Sequence, residues 1–596
     1  MFQKSSAQTM PDIFSNIYDQ LDTQRQKQLN DKRAWHNLFY EYITSKIDES
    51  PFARLYDKQM GAPNASARQL IAMIILKEGF GWSDEFLYER TDFDLVVMKA
   101  LGLNNVNDEV PCIATYYNFK RALYEHQVKT GEDLMGSAFQ QLSKAQAKLF
   151  GVNGKFARMD SKLIGSNIAR CSRLQLVLTV LNIFYKDIKE AGMQGRLETA
   201  DKDRLEEWSK KKPGQIVYTL SHDEKEKLLE ELGYLLLRLQ VQFSEVDSGK
   251  YHLIVRVLAE QYSIQGKQII LREGKEIKSD SLQSPYDEDA AYRKKKEQKI
   301  QGYSINITET CNKEELNLIT DVKVEKANCA DPDFLQDAVK RSEEVVGHIE
   351  HVNTDGAYHS QSNQEFTKSN ETELILGGFP GKEGNYDFEI KSEEEVLVSN
   401  KHTGEVHCAK VCKGKNGETK YRIREENKLR YFTLAFLLSW QQRQSAEQIP
   451  QSERNRRNNV EASIFQFCYH SRNNKTRYRG LIKHQHSAYS RCLWINLIRI
   501  KNYVAPWKGE MCPDKNEKSK NQALLTKSAE ILTNVSGYFT SGNEKSKNQA
   551  ILTKSGEMLT NVSGFFTSEI DKLFRLVNLK VFGSERVTPL ELSIYL

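Results

Sequence analysis

Apolar residues follow a helical period in the first part of the chain. Residues 66–78 carry four aliphatic side chains on one helical face, and Ser66 stands where an N-cap is expected. Further helices are predicted after Ser83 and near residues 113–124. We therefore predict a helical N-terminal domain over residues 1–150.

The middle of the chain mixes strand-like and helical patterns. Residues 155–162 form the first predicted strand, and residues 166–285, which follow it, have helical periodicity and are predicted to form a helical insertion. Further strands are predicted at 302–311, 317–327 and 347–354, with a helix at 332–345. Residues 383–424 alternate between apolar and polar positions, which predicts a small antiparallel β insertion. The fold class is therefore α/β.

The C-terminal tail, residues 501–596, contains a tandem repeat. Residues 516–541 recur 27 positions later as residues 543–568 with four differences. Two copies of this length are too few to build a solenoid. Each copy is predicted to form one amphipathic helix outside the main domain, and no chemistry is implied.

Composition limits the classes of function. A chain of 596 residues is expected to form two to four domains. The net charge is only +5, so a nucleic-acid surface must come from local basic clusters. Nine cysteines are scattered without paired spacing, and the longest apolar run, residues 431–440, is about half as long as a membrane helix. These features predict a soluble cytoplasmic protein with reduced thiols and no membrane partner.

Three short stretches each place one carboxylate where a divalent cation could bind. They are FARMDSKLIGSN around Asp160, HVNTDGAYHS around Asp355 and NRRNNVEASIFQF around Glu461. Mg²⁺ prefers oxygen ligands and is usually held by one or two carboxylates together with substrate phosphates. A pair of such ions about 4 Å apart can clamp the attacking and leaving oxygens of a phosphodiester. These residues are the candidate metal ligands and catalytic residues.

Each carboxylate also has a purely structural interpretation. Asp160 could cap a turn at the end of its strand, and Asp355 could belong to an Asp-Gly hairpin turn. Glu461 could pair with Arg457 one helical turn earlier. The residues alone leave the structural and the ligand interpretations open.

Several longer segments of the chain carry a resemblance to a known family. They are SARQLIAMIILKEGFGWSDEFLYERTDFDLVVMKALGL, PCIATYYNFKRAL, GYSINITETCNKEELNLITDVKVEKANCADPDFLQDAVKRS and TRYRGLIKHQHSAYSRCLWINLIRI, together with the three carboxylate stretches. In this order, over residues 66–500, they resemble the DDE transposases of bacterial insertion sequences. The family includes members with a β insertion between the second aspartate and the glutamate, as predicted here.

The resemblance implies a fold, an activity and partners. It implies a ribonuclease-H-like mixed sheet within residues 151–500, in which the first and fourth strands adjoin so that Asp160 meets Asp355. It implies Mg²⁺, replaceable by Mn²⁺, held by these residues and Glu461 for DNA strand cleavage and transfer. The implied partners are double-stranded DNA, as terminal inverted repeats and target, and a second copy of the chain in a homodimer on DNA. The implied location is the cytoplasm, at the nucleoid when DNA is bound.

Basic residues near the carboxylates are candidate DNA contacts. Arg454 and Arg457 precede Glu461 on its predicted helix, and the Arg457-to-Glu461 step matches the family. Arg454 stands where the family commonly has Tyr, and Cys468 stands where it commonly has Lys. Two clusters flank the predicted core, namely Arg293, Lys294, Lys295, Lys296 and Lys299, and then Lys475, Arg477, Arg479, Lys483 and His484. Contacts of these residues with phosphate would make DNA binding salt-dependent.

Other classes of site and function are less well supported. The group His402, His407, Cys408 and Cys412 does not have the spacing of a zinc site. The chain contains no phosphate-binding GxxxxGK[ST] loop and no nucleophile elbow. The alternatives to a transposase are a catalytically decayed or co-opted DNA-binding derivative and a nuclease without strand transfer.

Overall fold

In the described part of the chain, seven α-helices come before the first strand, and helices and strands are mixed after it. The computed structural model describes residues 2–504 apart from 11–16, 58–63, 106, 246–248, 267, 296, 379–383, 393–394, 415–416, 426–427 and 449, and not the side chains at 17, 20, 442, 445 and 451–458. The α-helices are α1 (Thr23–Leu29), α2 (Trp35–Tyr42), α3 (Ala67–Phe80), α4 (Asp84–Phe93), α5 (Leu95–Ala100), α6 (Ile113–Thr130), α7 (Leu134–Phe150), α8 (Arg173–Glu190), α9 (Thr199–Ser209), α10 (Pro213–Thr219), α11 (His222–Gln242), α12 (Tyr251–Gln261), α13 (Leu335–Val346), α14 (Gln361–Ser369), α15 (Leu434–Gln448), α16 (Gln451–Cys468) and α17 (Leu481–Val504). The strands are β1 (Phe156–Gly165), β2 (Tyr262–Gln265), β3 (Gln268–Leu271), β4 (Ala291–Lys295), β5 (Gln298–Thr310), β6 (Ile319–Lys326), β7 (His351–Thr354), β8 (Glu373–Leu376), β9 (Tyr386–Ile390), β10 (Val396–Asn400), β11 (Val406–Lys413), β12 (Thr419–Glu425) and β13 (Lys428–Thr433).

The described residues belong to one unit, Met1–Pro506. The second unit, Trp507–Leu596, lies outside the described residues. The tandem repeat of the predicted tail, 501–596, falls in that second unit.

The N-terminal helices begin at the predicted caps. The Ser66 hydroxyl accepts a hydrogen bond from the backbone N–H of Gln69 at 3.1 Å, and Ser83 caps α4 in the same way. The apolar face of α3 is wider than predicted, because the whole of residues 70–76 is buried. Helix α17 packs against α3, and a Cβ added at Gly79 would overlap the Trp494 ring, so the two helices approach closely there.

The main sheet is mixed. β1 pairs antiparallel with β5 and parallel with β7, and β7 pairs parallel with β8. β4 and β6 both pair antiparallel with β5. The strand order is β4-β5-β1-β7-β8, with β6 also beside β5. The α/β class is confirmed, and the predicted first and fourth strands lie side by side.

Helix α17 closes the open edge of β6 with two amide side chains. Gln485 accepts from the backbone N–H of Val324 at 2.7 Å and donates to the carbonyl of Val322 at 2.9 Å. Asn496 does the same at Ile319, at 2.7 and 2.9 Å. Backbone groups at a sheet edge need partners when they are buried. The helix therefore takes the place of a further strand.

One hydrophobic core joins the N-terminal helices to the sheet. It contains buried residues of α3, α6 and α7 together with residues of β5, β6 and α17. A separate core lies on the other face of the sheet, where Met159 and Val352 pack with α13. The N-terminal helices therefore support the sheet directly.

The segment between β1 and β4 folds around its own core. Helices α8 to α12 supply most of that core, which also includes Tyr262 and Ile269. The prediction that the whole insertion over residues 166–285 is helical was wrong after residue 261. The helix stops at Gln261, and β2 and β3 form a hairpin that turns at Gly266, which has a φ of +62°.

The β insertion is a five-stranded antiparallel sheet in sequential order from β9 to β13. It reaches Thr433 and so extends beyond the predicted end at residue 424. Its core includes Phe388, Tyr421 and Phe432 and is closed by Leu437 of α15. None of the helices in the described ranges is long and apolar enough to cross a lipid bilayer.

Candidate functional site

Asp160 and Asp355 lie on or directly after neighbouring strands, at matching positions. The parallel β1–β7 pairing ends at Arg158 opposite Asn353, and extending the same offset by two residues places Asp160 opposite Asp355, the residue that follows β7. Asp355 keeps an extended backbone, with φ −71° and ψ 154°. Neighbouring strands are about 4.8 Å apart, and side chains at matching positions project to the same face of the sheet. The two carboxylates therefore share one face at close range.

This pair stands where β1 runs past the end of β7. The first strand is longer than the predicted 155–162, so Asp160 lies in its middle rather than near its end. After Asp355 the chain enters a single 3₁₀ turn, Gly356–Tyr358, which excludes the Asp-Gly hairpin interpretation. Both aspartates are half-buried.

Tyr358 lies near these carboxylates, and their negative charges affect its pKa. Its buried hydroxyl donates to Oδ1 of Asn306 at 2.6 Å. Burial raises the pKa of Tyr358 well above its ordinary value, and Asp160, Asp331 and Asp355 raise it further. Negative charge is therefore concentrated at this end of the sheet, as a cation site requires.

Asp331 is a nearby carboxylate that was not predicted. The Ser161 hydroxyl donates to its Oδ1 at 2.8 Å, and a guanidinium nitrogen of Arg293 lies 3.9 Å from it. Successive side chains of a strand point to opposite faces, so Ser161 and Asp160 project to different sides of the sheet. Asp331 therefore lies behind the aspartate pair. Its only signal in the sequence is the ADPDF turn before α13.

Glu461 lies on the helix that covers the aspartate face. Helix α16 packs on β1 and also contacts β5 and β7. Val460 is buried, whereas Glu461 is exposed. Within the described residues, the ligand atoms of Asp160, Asp355 and Glu461 do not all lie within 4.8 Å of one another. The structure therefore does not bring Glu461 into one compact group with the two aspartates.

A buried charge cluster fixes α16 to the sheet. Glu309 of β5 is fully buried, and its Oε1 accepts from Nε of Arg158 at 2.6 Å. Its Oε2 accepts from Arg499 at 2.6 Å and from the Ser463 hydroxyl at 2.7 Å. Burial alone would raise the pKa of Glu309, but Arg499 and Arg158 outweigh burial and hold this pKa below its ordinary value. The cluster therefore fixes α16, the helix that carries Glu461, to the sheet, whereas Glu461 itself points to a different side of the helix from Ser463 and is exposed.

A lysine of β1 lies near the end of this helix. Burial raises the pKa of the Cys468 thiol, and the positive charges of Lys162 and Arg491 oppose that rise, so both cations are close to Cys468. Lys162 is exposed and lies two residues after Asp160, on the same face of β1. The side chains of Arg454 and Arg457 lie outside the described residues.

The basic residues after α16 are anchored near the far end of β1. Lys475, Arg477 and Arg479 each donate to a backbone carbonyl, and their acceptors are Ile168 at 2.7 Å, Trp82 and Asn167 at 2.8 Å, respectively. Arg477 and Arg479 are exposed, and a guanidinium carries five N–H donors. Each arginine therefore has N–H groups beyond the one that its anchoring bond uses.

The two predicted basic clusters meet at one cleft. Lys294 and Lys295 are exposed at the end of β4, an edge strand that was not predicted because its sequence is a charged run. Lys294 lies directly opposite Lys299, a like-charge pair that is unfavourable without an anion. A small cleft with a cavity volume of about 30 Å³ is lined by Gly165, Ile168, Arg170, Lys299, Ile300, Gln301, Asn473, Asn474 and Lys475.

His484 does not belong to this basic surface. It is buried, and its Nδ1 and Nε2 lie 2.8 Å from the Gly480 carbonyl and 2.6 Å from the Thr476 hydroxyl. Burial lowers the pKa of His484, and the Gly480 carbonyl, Asp287 and Asp289 oppose that shift only in part. The prediction of a phosphate contact at His484 was wrong, because the neutral ring is used to hold the 476–480 loop.

The burial of His484 predicts that the stability of the protein depends on pH. A histidine whose pKa is lowered by folding contributes stability that is present above its unfolded pKa of about 6.5 and is lost as pH falls below that value. We expect the free energy of unfolding to fall between about pH 8 and about pH 5.5, and to fall less in a His484→Gln variant. Urea denaturation at the two pH values measures both differences. An equal loss in the variant and the original protein would contradict the expectation.

Comparison with known proteins identifies no relative of this chain. No protein-family model, no curated protein and no solved structure matches the chain. The functional conclusion therefore rests on the site and on the resemblance carried by the residues around it.

Proposed function

We propose that the protein is a DNA transposase that cuts and joins DNA strands with divalent metal ions. The observation that carries the proposal is the parallel pairing of β1 with β7, whose register, extended by two residues, would put Asp160 opposite Asp355. The helix that bears Glu461 packs over the same strands. Two aspartates and a glutamate supply the ligand type that the chemistry requires.

The proposal includes a ribonuclease-H-like sheet. Three features support it, namely the antiparallel β6-β5-β1 pairing, the parallel β1-β7-β8 pairing and the helix α13 between β6 and β7. In this interpretation the helical segment between β1 and β4 and the β9–β13 sheet are insertions into that fold.

The donor set fits Mg²⁺ or Mn²⁺. All three side chains offer oxygen, which hard cations prefer. A pair of ions bound there would activate water and stabilise charge on the phosphodiester oxygens. By analogy with the family, Asp160 would hold both ions, Asp355 one of them and Glu461 the other. The Glu309 cluster would keep α16, the helix that carries Glu461, in place through Ser463.

Basic residues at both ends of the exposed part of β1 would hold the DNA. Lys162 would contact phosphate beside the reacting bond, near the position of Cys468 where the family commonly has Lys. Lys475, Arg477, Arg479, Lys294 and Lys295 would contact the backbone about 16 Å away, since Gly165 lies five residues beyond Asp160. Arg454 and Arg457 are proposed as further phosphate contacts on α16. The substrates would be terminal inverted repeats and target DNA, bound by a homodimer in the cytoplasm.

One observation favours a decayed DNA-binding derivative as the second candidate. Cys468, which stands where the family commonly has Lys, is half-buried and cannot contact phosphate as a lysine would. The derivative would bind DNA ends without cutting them. The two candidates therefore differ in cleavage and not in binding.

The test is cleavage of DNA that carries the ends of the protein's own element. We expect nicks at those ends that leave a 3′-hydroxyl in Mg²⁺ or Mn²⁺, no nicks in EDTA, and binding that weakens steeply with salt. Joining of the freed end to a second duplex would separate a transposase from a nuclease. Binding of the ends without cleavage in either metal would overturn the proposal in favour of the derivative.

A further inference from the structure

Three metal-ligating side chains meet at one end of the β insertion, away from the aspartate pair. Nε2 of His407 and carboxylate oxygens of Glu405 and Glu425 lie within 4.8 Å of one another. Lys410 lies opposite Arg422 in the antiparallel β11–β12 pair, and the same register continued places His407 opposite Glu425. Glu405 precedes His407 by two residues and therefore projects to the same face.

His407 has a buried nitrogen without a hydrogen-bond partner. Nε2 is shielded from solvent and accepts or donates no hydrogen bond within the described residues, and the nearest oxygen of Glu405 lies 3.5 Å away. A buried polar group without a partner costs about 1–3 kcal/mol. Histidine is a common metal ligand through this atom. A bound cation would satisfy Nε2 and both carboxylates together.

Glu425 is already oriented toward this point. The Tyr386 hydroxyl donates to its Oε2 at 2.6 Å, and the Asn400 amide donates to its Oε1 at 2.5 Å. The side chain is only 11% exposed. A carboxylate has about four lone-pair positions, so two donors leave room for a metal bond. Hydrogen bonds of this kind hold ligating carboxylates in place in known metal sites.

We propose that Glu405, His407 and Glu425 form a binding site for a divalent transition metal of the zinc class. One nitrogen and two oxygen donors form the His/Glu ligand type that zinc accepts, with a fourth position for water. Ligand atoms around a tetrahedral ion with bonds of about 2.1 Å are about 3.4 Å apart, so modest side-chain rotations would close the group around an ion. The imidazole donor favours zinc over Mg²⁺.

The site would join β11 to β12 at the open end of the insertion core. Ala409 and Ile423, which follow on the same face of the two strands, are buried in that core. Metal binding to the folded state alone stabilises that state in proportion to the logarithm of the metal concentration. The proposal is independent of the proposed DNA chemistry, because none of its ligands lies on the main sheet.

The test is titration of the reduced, EDTA-treated full chain with Zn²⁺ by calorimetry. The chain has 12 His and nine Cys, so matched variants are needed to identify the binding site. His402→Ala is the control, because His402 is exposed in the neighbouring turn and is not one of the three ligands. We expect His402→Ala to keep one Zn²⁺-binding event that His407→Ala and Glu425→Gln lose. Circular dichroism in EDTA shows whether each variant is folded.

A second variant separates a metal site from a set of ion pairs. Tyr386→Phe removes the donor that orients Glu425 and leaves the three ligands in place, and it is expected to lower zinc affinity about tenfold or more. Equal Zn²⁺ affinity in His407→Ala and His402→Ala would overturn the proposal. Absence of Zn²⁺ binding by the unmodified chain would overturn it as well.

Discussion

Asp160→Asn is expected to lower the rate of metal-dependent DNA cleavage by about 10³-fold and to leave binding of the DNA ends nearly unchanged. The amide cannot replace the negative charge of a carboxylate that is proposed to hold two cations. Bound metal contributes several kcal/mol of transition-state stabilisation, and about 1.4 kcal/mol corresponds to a factor of ten in rate. Single-turnover cleavage of end DNA measures the rate, and gel-shift titration in EDTA measures binding.

Asp337→Asn is the matched control for this prediction. Asp337 is an exposed residue of α13, and that helix packs on the sheet face opposite Asp160. The substitution changes charge in the same way without touching the proposed metal ligands. Cleavage by Asp337→Asn should match that of the unmodified protein. Equal cleavage by Asp160→Asn and Asp337→Asn would show that Asp160 holds no catalytic metal.

Glu309→Ala is expected to lower the free energy of unfolding by about 3–5 kcal/mol, since it leaves Arg158 and Arg499 buried without their counter-charge. Their side chains are only 9% and 18% exposed, so water replaces little of the lost interaction. Ser463 also loses its carboxylate partner, which loosens the attachment of α16. Urea denaturation at pH 7 measures the change.

Glu325→Ala is the matched control, because Glu325 lies on the adjacent strand β6 and pairs with Lys323 at the surface. Exposed pairs of this kind contribute about 0–1 kcal/mol. A loss at Glu309 no larger than the loss at Glu325 would contradict the buried-charge interpretation. Truncation of Glu309 is also expected to slow cleavage, because α16, the helix that carries Glu461, would be held less firmly on the sheet.

Local patterns in the sequence were enough to predict several elements. Caps at Ser66 and Ser83 marked the starts of α3 and α4, since a short hydroxyl side chain satisfies the free N–H groups of a helix start. The strand pair β5–β6 and strand β7 followed from apolar runs bounded by polar turns. The adjacency of Asp160 and Asp355 was expected only from the family resemblance, because spacing alone does not determine strand order.

Some elements could not be predicted from the local sequence pattern, because their conformation or burial depends on contacts with residues that are distant in the sequence. Strand β4 contains Arg-Lys-Lys, and an edge strand tolerates such charges because one side faces water. Residues 262–265 continue the apolar pattern of α12 but pair with β3. The width of the buried surface of α3 depends on α17, which lies more than 400 residues later in the sequence.

Parts of the candidate site were hidden for the same reason. Glu309 stands in the polar-looking strand GYSINITET, and nothing near it in sequence indicates two arginines from β1 and α17. His407 was considered only with cysteines, whereas the structure brings it to Glu405 and Glu425. The chain contains many glutamates, so the sequence alone does not single out the two glutamates of this group. Only the pairing of neighbouring strands shows that they lie beside His407.

The most direct measurement is Mn²⁺ binding, followed by the electron paramagnetic resonance signal of the free ion. The His407→Ala protein is the starting point, because it lacks the proposed second metal site. We expect it to bind Mn²⁺, and we expect Asp160→Asn or Asp355→Asn added to it to lower the affinity about tenfold or more. Asp337→Asn in the same protein should bind as the starting protein does. Equal Mn²⁺ affinity with and without the two aspartates would contradict the claim that Asp160 and Asp355 form a metal site.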